Sequence, residues 1–299
     1  MSEHLVWERD GRDWPNREAS RFVAAGGIDW HVQVTGQGPT VFLLHGTGAA
    51  THSWRDVLPL LAKNFTVVAP DLPGHGFTRI RDDTALSLPG MAAAVSELVA
   101  ALGVAPVLAA GHSAGAAVAI RMTLDGMIAP AGLVSINGAL MPFRGIAGKI
   151  FSPIARFLAG NRATARFFAG RAADPAMIES MLARTGSRLE PRGAALYGRL
   201  AKSPGHVHAA LAMMASWDLA QLVDDLPKLA VPLLLVVGGR DGTVAPEEAF
   251  TVRDRIPGTR LVYLRGLGHL AHEEKPLEVV QAIESFAREV GVGNLSTAG

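Results

Sequence analysis

The 299-residue sequence predicts an α/β fold: a mostly parallel, eight-stranded sheet with helices on both faces and a helical segment inserted after the sixth strand. Three observations predict it. Continuous apolar runs such as Val41-Phe42-Leu43-Leu44 alternate with stretches of helical spacing, as expected for strands buried on both faces. The alternation stops at Asn137 and resumes at Pro232. Between them in importance stands Gly111-His112-Ser113-Ala114-Gly115, which joins an apolar run to a small-residue stretch at a strand-to-helix junction.

Taken in order, residues 1–20 read as an extended arm carrying Trp7 and Trp14. Arg21 to Ala24 and Ile28 to Val34 read as two strands around a Gly26-Gly27 hairpin turn. A strand at 41–44 ends in His45-Gly46-Thr47-Gly48, and a helix is expected from about Ser53 to Lys63. The strand Phe65 to Ala69 leads into Asp71-Leu72-Pro73-Gly74-His75-Gly76. A helix at 88–102, a strand at 106–110, a helix at 114–124 and a strand from Gly132 to Ile136 complete the first half. Residues 138–225 are helical in pattern, broken at Pro153, Gly160, Gly170, Pro191 and Pro204-Gly205. A strand from Leu233 to Val237, a helix at 246–255, a strand from Leu261 to Leu264 and a helix from Leu277 to Val290 follow, with a frayed tail after Gly291. The expected organisation is a core of 1–137 and 226–299, with 138–225 as a separate helical unit.

Composition excludes several classes. Hydrophobic residues make up 49% and charged residues 18%, which fits a packed core and not a disordered chain. A net charge of +1 offers no global field for a nucleic acid. With 0 cysteines there are no disulfides, thiolate metal sites or cysteine nucleophiles. Residues 1–20 are charged and lack the apolar core of a signal peptide, and the apolar run from Val104 to Ile120 contains His112 and Ser113. The expected compartment is the cytoplasm.

The chemistry-bearing residues cluster at strand ends. A serine hydroxyl is a weak nucleophile that needs an adjacent base, itself oriented by a third group. Ser113 lies in the pentapeptide; its neighbours two residues away are glycines, as a sharp turn requires. Asp241 follows the strand 233–237 and His269 follows the strand 261–264. All three candidates therefore fall just past the carboxyl ends of expected parallel strands, where open α/β sheets place their sites. Asp218 is a rival acid and His272 a rival base. An anion formed on the substrate would need two backbone N–H donors, for which Ala114, after the serine, and Thr47, between Gly46 and Gly48, are the candidates. His45 is expected to shape the Thr47 loop, His75 to be structural and His112 to pack. His206 and His208 have ligand-like spacing, but no carboxylate or third histidine adjoins them, so no metal site is expected. The triad mechanism needs no cofactor, and none is expected.

On Leu43-Leu44-His45-Gly46, Asp71 to Gly76, the pentapeptide, Gly239-Arg240-Asp241 and Gly268-His269, the chain resembles the α/β-hydrolase superfamily. In that superfamily the nucleophile, acid and histidine occur in this order, on the fold already described. The resemblance implies that 138–225 is a cap over the site. A serine in the elbow disfavours dehalogenase and epoxide hydrolase chemistry, which use an aspartate there. A closer resemblance lies in Asp10 to Asn16, His45 to Ala49 with Ser53-Trp54-Arg55, Asp71 to Thr78, and Ser135 to Leu140. These look like the magnesium-chelatase accessory subfamily of bacteriochlorophyll-synthesising bacteria. That resemblance implies a place in the magnesium branch of tetrapyrrole synthesis, a link to photosynthesis and a magnesium porphyrin or magnesium chelatase as partner.

Residues 138–225 hold 11 Lys and Arg against 6 Asp and Glu, interleaved with apolar residues such as Phe143, Phe151, Phe157, Phe167 and Phe168. Three readings stand open: a solvated basic face, a surface that rests peripherally on an anionic inner membrane, or a pocket for a flat apolar ligand bearing carboxylates, such as a porphyrin. Two functions stand open as well. One is a serine hydrolase acting on an ester or related acyl carbon. The other is a non-catalytic chelatase accessory or tetrapyrrole carrier on a hydrolase fold.

Overall fold

The computed structural model describes residues 3–142, 161–171 and 174–292. The tail beyond 292 and the aromatic stretch at 143–160, which includes Phe143, Phe151 and Phe157, lie outside the described residues. One eight-stranded sheet organises the chain: β1 Ser20–Ala25, β2 Ile28–Thr35, β3 Thr40–Leu44, β4 Thr66–Pro70, β5 Leu108–His112, β6 Gly132–Ile136, β7 Leu233–Gly238 and β8 Arg260–Leu264. Their spatial order is β1-β2-β4-β3-β5-β6-β7-β8. β2 runs antiparallel to β1 and β4, and the remaining pairs are parallel. The β1–β2 hairpin turns through Gly26 and Gly27, both at positive φ, the two-residue geometry that matches strand twist.

Alternation along the strands sorts side chains into two layers. Phe42 and Leu44 of β3 face the layer that holds α3 (Leu88–Leu102) and α4 (Ala114–Leu124). Val41 and Leu43 face the other, with Val57 and Leu58 of α2 (Val57–Leu61) and Ile283 and Phe286 of the C-terminal helix Pro276–Glu289. α3 has the bounds expected of it because Ser87 accepts from Gly90 N at its start and Gly103 adopts the left-handed conformation at its end.

Three elements differ from expectation. The N-terminal residues are not extended: Trp7–Asp10 form one turn of helix, α1, and the arm folds back onto the sheet. Trp14 is 2% exposed, donates its indole N–H to Thr51 Oγ1 at 3.0 Å and packs edge-on against Phe77. Burying its large apolar surface outweighs the freedom of the charged residues around it. The expected helix 53–63 divides into a 3₁₀ turn at Thr51–Trp54 and the short α2. Pro59 has no N–H for the Arg55 carbonyl, which accepts instead from Asn16 Nδ2 at 3.1 Å. Strand β5 occupies 108–112, two residues later than expected, because its register is set by Leu108 opposite Gly132 and not by where the apolar run begins.

Between β6 and β7 the described residues form helices alone: α5 Arg162–Arg171, α6 Pro175–Arg184, α7 Pro191–Ala201, α8 Pro204–Ser216 and α9 Ala220–Asp225. After β7 come α10 Glu248–Arg255, α11 Ala271–Glu274 and α12 Pro276–Glu289. Leu196 and Leu200 of α7 join Leu5, Trp14 and Phe77 in a cluster of their own, so the arm is the filling between α7 and the sheet. Arg199 adds a two-pronged ion pair to Asp13. Among the described residues no helix is long and apolar enough to cross a membrane.

The interior is rich in neutral histidine. Burial holds His45, His52, His75, His112 and His272 below the ordinary imidazole range, and brings His206 down to about 4. Burial also pushes Glu273 up to about 7, although Arg55 and the Tyr197 hydroxyl are its partners.

Two outcomes follow from this packing. Trp14→Ala should lower stability by about 3 kcal/mol or more in urea titration; a loss below about 1 kcal/mol would mean that the arm is not part of the fold. Acid should also destabilise the protein. Six histidines whose folded values lie below the ordinary 6.5 take up protons on unfolding as pH falls through that value. Glu273 acts in the opposite sense, its contribution being lost as pH rises toward 7, but it is a single group. His206 alone should remove on the order of 2 kcal/mol between about pH 7 and pH 5. The urea midpoint should therefore fall across that interval, and a flat or rising midpoint would contradict the neutral interior.

Candidate active site

Ser113 separates the last residue of β5 from the first of α4 and is held at φ 51°, ψ −119°. A non-glycine residue in that conformation stores on the order of 1–3 kcal/mol, so its surroundings must enforce it. They do so by proximity. A Cβ on Gly111 would lie 2.2 Å from Ala116 N, and one on Gly115 would lie 2.2 Å from the Leu44 carbonyl oxygen. Both pentapeptide glycines are thus required by backbone packed against backbone. Ser113 N–H donates to the Ile136 carbonyl at 3.0 Å, and the Ser113 carbonyl accepts from Ala116 and Ala139. The hydroxyl stands at a helix N-terminus, where the dipole favours an anion.

The acid and the base meet. His269 Nδ1 lies 2.7 Å from Asp241 Oδ2, and both side chains are almost fully buried. Asp241 is pinned by three further donors: Asn137 Nδ2 on Oδ2 at 2.8 Å, and the N–H groups of Thr243 and Val244 on Oδ1 at 2.7 and 2.9 Å. With Nδ1–H directed at the carboxylate, Nε2 carries the lone pair that a general base needs. Among the described residues Ser113 Oγ makes no hydrogen bond to His269. Such a bond commonly tightens only when substrate is bound. His112 bridges the two: its ring lies 4.7 Å from the His269 ring, tilted against it by 57°, and its Nε2–H donates to the His269 carbonyl at 2.9 Å.

The loop after β3 crosses directly over the elbow. A Cβ on Gly46 would lie 2.9 Å from Ser113 Cβ, so only glycine permits the approach. Thr47 is the next residue, and its hydroxyl contacts Met213 Sδ at 3.3 Å. Ala114, 4% exposed, is the first residue of α4. His45 fixes this loop as expected: Nδ1–H donates to the Gly46 carbonyl at 2.8 Å, while Nε2 accepts from Leu72 N at 2.8 Å. His206 ties α8 to the same loop, accepting from Gly76 N at 3.0 Å and donating to the Gly48 carbonyl at 3.2 Å.

The rivals are placed elsewhere. Asp218 is exposed and accepts from Ala220 N at the start of α9. His272 is fully buried between Trp54 and His112, with no hydrogen bond to either ring nitrogen among the described residues. His208 pairs with Asp83, and no group of three metal-ligating side chains occurs among the described residues.

Three features escape a reading of the sequence. Asn137, at φ 46° just past β6, sits 104 residues from the aspartate it holds; its position at a strand's carboxyl end was the available signal. His112 does more than pack. A second serine–histidine–aspartate array also exists: Ser20 Oγ lies 3.0 Å from His31 Nε2, and His31 Nδ1 lies 2.8 Å from Asp71 Oδ2. Ser20 has ordinary extended backbone, φ −75° and ψ 136°, and begins a strand and not a helix. Asp71 also accepts from Thr51 N and Phe77 N; against the cost of burial, the His31 ring above all, then His45 and the Phe77 N–H, hold it well below the carboxylate range. That array is a buried tie between strands β1 and β2 and the segment that follows β4.

Comparison with known proteins agrees with this fold. The model of the alpha/beta hydrolase family matches residues 41–282. The magnesium-chelatase 30 kDa subunit of Rhodobacter capsulatus is 38% identical over 263 residues, covering 87% of this chain and 92% of that protein. The pimeloyl-[acyl-carrier protein] methyl ester esterase of Aeromonas hydrophila is 29% identical, covering 85% and 98%. Among solved structures, a thermophilic esterase from Thermogutta terrifontis superposes with a TM-score of 0.72 at 26% identity, covering 91% of this chain and 98% of that one. With strand order, elbow and family model in accord, the chain belongs to the alpha/beta hydrolase family.

Proposed function

We propose that this protein is a serine hydrolase that cleaves a carboxylic ester. The observation that carries the reading is the 2.7 Å Asp241–His269 hydrogen bond beside a serine held in a left-handed turn. His269 Nε2 removes the hydroxyl proton as Ser113 Oγ attacks the acyl carbon. Asp241 keeps the ring in the required tautomer and stabilises the imidazolium. The N–H groups of Thr47 and Ala114 receive the oxyanion. The tetrahedral adduct collapses, His269 returns the proton to the departing alkoxide, and the serine ester remains. Water then repeats the sequence on that ester and releases the acid and free Ser113.

In this reading residues 138–225 form the cap, and 1–137 with 226–299 form the core. The names of two relatives support a substrate class. One is named for an ester hydrolase and a more similar one for magnesium chelatase, which together favour an ester-bearing magnesium porphyrin in the magnesium branch of bacteriochlorophyll biosynthesis. A cap with 11 basic against 6 acidic residues suits carboxylates on such a ligand, since guanidinium binds them in a two-pronged fashion. The same basic face would suit contact with the chelatase or an anionic membrane surface.

A second reading, a non-catalytic chelatase accessory or tetrapyrrole carrier, is favoured by the name of the Rhodobacter relative. A fluorophosphonate probe separates the two. The hydrolase reading expects stoichiometric labelling that Ser113→Ala abolishes; an unlabelled wild type, beside a labelled reference esterase, would overturn it. Titration with magnesium protoporphyrin monomethyl ester tests the ligand, and no change in its absorption at micromolar protein would count against any tetrapyrrole role.

Asn137→Ala provides a finer test. Loss of a hydrogen bond to the Asp241 carboxylate should lower kcat on a p-nitrophenyl ester by about tenfold, with KM little changed. An unaltered kcat would show that Asn137 does not support the acid.

A further inference from the structure

The turn Thr185-Gly186-Ser187, between α6 and α7, is wedged between the loops that carry Asp241 and His269. The Thr185 carbonyl accepts from both Gly242 N and His269 N, each at 3.0 Å. Ser187 Oγ, 4% exposed at the level of its residue, accepts from Leu270 N at 2.8 Å. Glu274 closes the contact from the other side: one carboxylate oxygen accepts from Gly268 N at 2.7 Å and the other from Arg188 N at 3.1 Å. The N–H groups of the histidine and of the residues on either side are thus all engaged by this junction.

Three glycines make so close an approach possible. A Cβ on Gly186, itself at φ 78°, would lie 1.8 Å from the Arg240 carbonyl oxygen. One on Gly242 would lie 2.2 Å from the Arg184 carbonyl oxygen, and one on Gly268 would lie 2.3 Å from the Gly186 carbonyl carbon. Backbone from the helical segment, the acid loop and the histidine loop is in mutual contact, with no side chain between.

We infer that this turn is a positioning element of the catalytic apparatus, and that Ser187, seconded by Glu274, is the positioning residue for His269. The imidazole direction depends on the backbone at 269–270, and that backbone is held from the helical segment and not from β8 alone. The assignment rests on the hydrolase reading for its kinetic consequence. Its geometric consequence, the integrity of the Asp241–His269 bond, stands apart from turnover.

The experiment uses the full-length protein and Ser187→Ala, with p-nitrophenyl acetate as the probe ester. The expected result is a fall in kcat of about tenfold per folded molecule, with KM within about twofold of wild type. In parallel, proton NMR follows the deshielded His269 Nδ1–H, assigned by its loss in His269→Gln. That resonance should shift upfield or broaden in Ser187→Ala. A kcat and a resonance both unchanged, whatever the loss of stability, would overturn the proposal and leave Ser187 a merely structural residue. If Ser187→Ala fails to fold, Glu274→Gln, which keeps one acceptor, decides: a two- to threefold fall in kcat with a displaced resonance supports the proposal, and no change in either overturns it. A wild type without esterase activity but with the resonance displaced in the variants would reject the hydrolase reading while retaining the positioning role.

Discussion

Holding a serine at φ 51° requires surroundings that leave the backbone no other course, and much of the central structure can be derived from that constraint. Gly111 and Gly115 are glycines because α4 doubles back over β5 and runs beneath β3 with backbone in contact. Gly46 is a glycine because the β3 loop must cross the same point. The parallel pairing of β3, β5 and β6 brings the loop, the elbow and Asn137 to one edge of the sheet. The geometry of Ser113 is therefore a property of three adjacent strands and the helix that follows the middle one.

The candidate acid and base are supplied from the other half of the sheet, and they depend on a different kind of support. Asp241 and His269 stand on loops after β7 and β8, and loops alone seldom hold a side chain to the accuracy that proton transfer demands. The deficit is met by Asn137, by two backbone donors to Asp241, and by the turn at 185–187. On the opposite side His206 and Met213 of α8 touch the Thr47 loop. The helical segment thus grips the site at two places, and the buried N-terminal arm fixes α7 between them. A helical segment attached in this way is a wall of the candidate site.

Most of the sheet was legible in the sequence because strands buried on both faces leave uninterrupted apolar runs, as at 41–44 and 233–237. Helices α3 and α4 were legible to the residue, since Ser87 and Gly103 cap one and the elbow starts the other. The failures have physical causes. Pro106 and Val107 lengthen the apolar run before β5, but pairing with Gly132 decides where the ladder starts. The helix near 53–63 is broken by Pro59 together with a hydrogen bond from Asn16, and the second of these is invisible locally. In the candidate site, Ser113, Asp241 and His269 are marked by their place at strand ends. Asn137 reaches Asp241 across 104 positions of sequence and Ser187 reaches Leu270, beside His269, across 83, and no local pattern records such contacts.

If Ser113 is the nucleophile, the elbow and the Thr47 loop together form a site for an acyl transition state. The most direct measurement is a crystal structure of the protein after reaction with an alkyl fluorophosphonate, whose tetrahedral phosphorus mimics that state. The expected result is phosphorus bonded to Ser113 Oγ, with the phosphoryl oxygen about 3 Å from the backbone nitrogens of both Thr47 and Ala114. Phosphorus bonded to any other residue, or a phosphoryl oxygen directed away from those two N–H groups, would contradict it.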